Sequence, residues 1–160
     1  MSYIPEGDCW YIAGLVLEHT IEGDRRNVVH VNTHLIEANS PEEAYRKADA
    51  LGLAGEQQYL NTEGKQVRVT FRGLRDLDVV HDDLEDGAEL FYKESVGVLE
   101  DDLRRWVTSK EALSAFAPRR AGVGGPNYMP EEVMHMLETT GVSRDELQDC
   151  AGHDGTRATS

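Results

Sequence analysis

The densest run of residues able to do chemistry lies between positions 76 and 86. Asp76 and Asp78 alternate on an apolar background, and His81, Asp82, Asp83, Glu85 and Asp86 follow at once. Carboxylates beside an imidazole are a donor set for a hard divalent cation. A metal-dependent hydrolase would need that set to converge on one point. The spacing departs from a calcium-loop signature, because the glycine and the closing glutamate are out of register. Asp76 and Asp78 continue an apolar alternation and precede a loop, so they are expected to face solvent. Asp76, Asp78 and His81 are the metal candidates. The whole run from Asp76 to Asp86 is equally a candidate surface for a basic partner.

The histidines offer less. His30 and His34 share one face of a strand but stand about 13 Å apart at ~3.3 Å per residue, too far to hold one metal. His19 lies across a hairpin from one of them, which leaves a His pair open. Cys9 and Cys150 form no C-x-x-C pair and sit near opposite ends of the chain. Two reduced thiols are expected, with a disulfide between them as the alternative. Cys9 has no basic neighbour or helix start to lower its pKa. No G-x-S-x-G, Walker or G-x-G-x-x-G pattern is present, and Gly122, Gly124 and Gly125 follow no strand.

Charge narrows the function classes. The 160 residues carry 16 Lys plus Arg against 30 Asp plus Glu, a net charge of −14. Residues 74–102 alone hold 11 acidic and 2 basic residues. Phosphate backbones are bound by Lys and Arg, so a body of this charge is repelled by nucleic acid. No apolar run approaches the ~18 residues of a membrane helix. The first residues lack the basic and apolar regions of a secretory signal. A cytoplasmic location follows as the expectation, and 39% hydrophobic residues supply one modest core.

The elements that would position these residues read as follows. Residues 10–19 form an apolar, aromatic strand, and Glu22–Asn27 a turn. Residues 28–38 form a second strand, with Val29, Val31, Thr33 and Leu35 on one face and His30, Asn32 and His34 on the other. Ser40-Pro41-Glu42-Glu43 is a helix start with the composition of a capping box. Ala44, Ala48 and Leu51 give the helix its apolar stripe, and Gly52 its stop. Glu56–Leu60 is a short strand. Lys65–Gly73 alternates with Val67, Val69 and Phe71 inward. Leu74–Val80 and Ala88–Glu94 are two further strands. The order β-β-α-β-β-β-β makes an α+β fold, a mostly antiparallel sheet with one helix on a face.

Beyond residue 96 the pattern turns helical. Leu99, Leu103, Trp106 and Val107 recur at helical spacing. The expected organisation is an α+β domain over 1–96, a helical segment over 97–117, a Gly/Pro/Arg linker over 118–129, a helical hairpin over 130–151 and a tail over 152–160. Met134, Met136 and Leu137 give the hairpin an adaptable apolar face. Its second helix sets Arg144 against Asp145, Glu146 and Asp149, the wrong charge for a major groove. Docking on the domain is the favoured role for this face, ahead of a partner protein and of DNA.

Several of these residues resemble a bacterial family, the domain of unknown function 4288, over about residues 9–92. The resemblance rests on Trp10-Tyr11-Ile12-Ala13 and on Leu35-Ile36-Glu37-Ala38 running into Ser40-Pro41-Glu42-Glu43-Ala44. It continues through Lys47-Ala48, Leu51-Gly52, Phe71-Arg72-Gly73-Leu74, Asp76-Leu77 and Asp86-Gly87-Ala88-Glu89-Leu90. It implies a small α+β domain and brings no activity or catalytic residues with it. The expectation is a non-catalytic, cofactor-free protein that binds another protein with a basic surface, of immunity or inhibitor type. Asp76, Asp78, Asp82, Asp83, Glu85, Asp86, Met134, Met136 and Leu137 are the candidate binding residues. A divalent-metal enzyme using the acidic loop and a structural homo-oligomer are the alternatives.

Overall fold

A computed structural model describes residues 9–116 and 124–139. The described residues up to Lys93, with Pro126–Pro130, form one compact unit. Residues 94–116, with 124, 125 and 131–139, form a second.

The first unit is a four-stranded antiparallel sheet with a helix on one face. Its strands are β1 (Cys9–Ile21), β2 (Val28–Ala38), β3 (Gln57–Leu60) and β4 (Gln66–Val79), in the order β2-β1-β4-β3. The helix α1 spans Pro41–Ala54. Mixed α and β structure with an antiparallel sheet agrees with the sequence, but among the described residues there are four strands rather than six. Lys65–Gly73 and Leu74–Val80 are one strand, because two register shifts against β1 carry β4 through Gly73 at φ +125°. Such bulges absorb extra residues without ending the ladder. Ala88–Glu94 is not a strand. Gly87 turns the chain at φ +89°, and the Glu89 N–H then donates to Asp82 Oδ2 at 3.1 Å. The segment is tied to its own acidic loop instead of a ladder.

β1 is an inner strand and alternates except at Gly14, which is buried between Ala13 and Leu15. Tyr11, Ala13, Leu15, Leu17, His19 and Ile21 are buried on the helix side. Small residues bring α1 close to them: Ala44, Ala48 and Gly52 are its buried positions. Full burial of a side chain as large as Leu15 contributes ~1.5–3 kcal/mol. The Glu43 N–H donates to Ser40 Oγ at 3.2 Å, as the capping box requires. The Glu43 carboxylate reaches back to the N–H of Asn39 at 2.9 Å. The helix does not stop at Gly52. It runs to Ala54 with Gly55 as its C-cap, and Leu51 is left exposed.

β2 holds the less expected result. Val29, Val31 and Leu35 are 49%, 40% and 46% exposed, while Ile36 and Ala38 are buried. The richer apolar face of this strand is therefore turned away from α1. Asn127–Met129, within the stretch expected to be linker, and Pro130, the first residue of the expected hairpin, are joined to the turn after β3. Asn61 pairs with Pro130 in an isolated bridge, and the Thr62 N–H donates to the Met129 carbonyl at 3.1 Å.

In the second unit, α2 is Glu100–Trp106 and α3 is Glu131–Thr139, with a single 3-10 turn at Lys110–Ala112. Glu100, Asp101 and Asp102 at the start of α2 and Arg104 and Arg105 at its end complement its dipole. The expected helix over residues 143–150 and the tail lie outside the described residues.

Candidate functional site

The end of β4 and the loop after it build a groove of about 530 Å³. Its wall is Leu77, Asp78 and Val79 on β4, with Tyr11 from β1 and Pro41 from the start of α1. The facing side is His81, Asp82, Glu89, Leu90, Phe91 and Tyr92. The bond from Glu89 to Asp82 sets how the loop closes, and a second bond, Ala88 N–H to the Glu85 carbonyl at 3.1 Å, tightens its tip. Two carboxylates (Asp82 and Glu89) therefore share a groove with two aromatic rings that remain accessible, while Asp78 borders it from the face it shares with Asp76. Phe91 is 45% and Tyr92 70% exposed.

Tyr11 is buried, and its hydroxyl has no hydrogen-bond partner among the described residues. Burial pushes its pKa up, with Cys9 and Glu43 adding to the effect. A cation already sits by one of these rings. Lys93 Nζ lies 6.0 Å from the centroid of the Phe91 ring, the geometry of a cation–π contact.

The candidate acidic residues divide. His81 and Asp82 come together in this groove, Asp78 borders it from the face it shares with Asp76, and Asp82, Asp83, Glu85 and Asp86 line a shallow polar depression beside it. Asp76 belongs to neither. It lies against Gly14 on the opposite face of the sheet and holds Arg75 at 3.5 Å. Asp76, Asp78 and His81 thus do not form one ligand set. Among the described residues no three His, Cys, Asp or Glu side chains are placed to hold a metal ion. Met134, Met136 and Leu137 lie on α3, in the second unit, where Met136 is exposed.

A His pair does form. The His19 and His30 ring centroids are 4.5 Å apart, and Tyr128 packs against them at 5.6 and 5.2 Å. Burial lowers the His19 pKa, with the neighbouring His30 as the second cause. His34 pairs with Ala13 further along the ladder. Two imidazoles without a third donor make a packing cluster, one that fastens the 126–130 segment. The Tyr59 hydroxyl adds to this by donating to the Tyr128 carbonyl.

Sequence reasoning missed Tyr11, Phe91 and Tyr92 as site residues. The available signal was an aromatic pair three residues beyond an acidic turn, which strand propensity masked. It also missed Tyr128, whose place depends on a contact 98 residues away in the chain, with His30.

No helix of the described residues is long and apolar enough to cross a membrane. No curated protein and no solved structure matches the chain. A family model for a domain of unknown function (DUF4288) matches residues 10–92, just over half of the sequence and the part that builds both the sheet and the groove. This chain belongs to the DUF4288 family.

Proposed function

We propose that the protein is a non-catalytic interaction module and that the groove beside β4 takes a basic segment of a partner protein. The observation that carries this reading is the shared lining of the groove: Asp82 and Glu89 with exposed Phe91 and Tyr92. Carboxylates attract an ammonium or guanidinium group, and aromatic faces hold it while covering its aliphatic stem. Single exposed ion pairs contribute only about 0–1 kcal/mol, so affinity would come from several contacts along an extended basic segment. The net charge of −14 adds long-range attraction that speeds encounter. An immunity or inhibitor role, masking a basic enzyme surface in the cytoplasm, is the specific form of this proposal.

The test is calorimetric titration with a ten-residue peptide of alternating Arg and Gly. Binding is expected at 50 mM salt, with at least a tenfold loss at 300 mM because the Debye length falls below ~10 Å. Tyr92→Ala and Glu89→Gln are each expected to weaken it several-fold while leaving the fold intact. Absence of binding at low salt, or affinity indifferent to salt and to both substitutions, would overturn the reading.

A further inference from the structure

The face of the sheet opposite α1 is not covered by any element of the first unit. Its centre is Gly14 and Val16 on β1, flanked on β2 by Val31 and the other exposed apolar residues of that strand. The chain carries a charge of −14, yet this face is almost neutral. Glu18, Glu37, Asp76 and Asp78 stand against Arg68, Arg72 and Arg75, leaving one negative charge. A nearly neutral apolar surface on a strongly acidic protein is a place where two copies can meet without repulsion.

The geometry points to a second copy of this chain as the occupant, packed face to face about a two-fold axis that crosses the strands between Gly14 and Val16. Two relations on the ladder support that axis. Gly14 itself is buried, because Asp76 Oδ2 and Val31 Cγ1 lie 3.1 and 3.4 Å from where its side chain would start. Leu35 pairs with Ile12 and Val29 with Glu18, equidistant from the axis, so Leu35 of one copy would meet Val29 of the other. Asp76 pairs with Gly14, while Arg72 is the unpaired residue of the bulge between the Val16–Gly73 and Leu17–Phe71 pairs. The same axis therefore lays Asp76 of each copy over Arg72 of the other.

In the single chain these two groups have only long contacts, Asp76 to Arg75 and Arg72 to Glu18, both at 3.5 Å. Face-to-face sheets keep their strands within about 30° of one another, so contacts near the axis are kept while the ends splay. Strands ~4.8 Å apart with ~3.3 Å per residue give the three strands roughly 500 Å² of flat area per copy. That lies at the small end of specific interfaces, so the expected dimer is in the micromolar range.

Sedimentation equilibrium of the full chain between 1 and 500 µM tests this. A monomer–dimer equilibrium is expected, and Val31→Asp, at an exposed position, should weaken it at least tenfold with an unchanged circular-dichroism spectrum. Arg72→Asp and Asp76→Arg should each weaken it, and the double variant should return to within about threefold of the original. A monomer at every concentration overturns the inference. So does a dimer that tolerates Val31→Asp, or a double variant no tighter than the single ones.

Discussion

The ring of Phe71 on β4 occupies the space where a side chain on Gly52 would begin, so helix and sheet touch there through a bare backbone. In an open helix, replacing glycine by alanine stabilises by ~1 kcal/mol. Here the methyl group would meet ring carbons, and overpacking of a filled core costs ~1–3 kcal/mol. Gly52→Ala is therefore expected to lower the urea midpoint. Phe71→Leu in the same chain should recover part of the loss. A raised midpoint for Gly52→Ala alone would show that the two elements are not in this contact.

Acid should weaken the fold in two separate windows. His19 is held neutral by burial first and by His30 second, so its folded pKa lies below the unfolded value of about 6.5. Between those values the unfolded chain binds more protons, and stability falls as pH drops. Its contribution is complete above about pH 6.5 and is lost below it. Urea midpoints from pH 8 to pH 5 should decline, and His19→Gln should flatten that decline.

Glu43 acts lower down. The Asn39 N–H, then Lys47, hold its carboxyl at about 2. The stabilisation is present above its unfolded value near 4.5 and is lost as pH falls through 2. Glu43→Gln should remove a pH-dependent component between 4.5 and 2 without changing the slope above pH 5. Equal acid sensitivity of the variant and the parent in that range would refute the assignment.

Asn61 is fully buried and joins three segments. Its amide donates to the Asn127 carbonyl at 2.8 Å, and its Oδ1 accepts from the N–H groups of Glu63 and Lys65 at 3.0 and 2.9 Å. Asn61→Ala leaves buried partners unsatisfied at about 1–3 kcal/mol. Asn61→Asp keeps both acceptor bonds but turns a carboxylate oxygen toward the Asn127 carbonyl, which repels it. Hydrogen exchange should then show residues 126–130 opening while the turn after β3 stays protected. Loss of protection in both places would mean the strap and the turn are one unit.

Much of the first unit was written in local chemistry. Ser40, Pro41 and Glu43 mark the start of α1 because a cap is made by neighbours in the chain. The bounds of β2 at Val28 and Ala38 follow from alternation interrupted by turn residues. Val67 and Val69 are buried as their spacing requires. The acidic segment at 76–86 was equally visible, since charge needs no fold to be counted.

What lay beyond reach depended on partners distant in the chain. Alternation states that Val29, Val31 and Leu35 share a face, but the position of α1 decides which face is covered. Gly73 read as the end of a strand, yet continuous pairing with β1 carried β4 past it. Glu89-Leu90-Phe91-Tyr92 has strand-forming residues and forms a groove wall instead, because Asp82 takes the Glu89 N–H. Neighbours in the chain were enough to set the local elements and the sign of the surface. Which carboxylates stand together followed from packing, because packing joins side chains far apart in the chain and is not periodic.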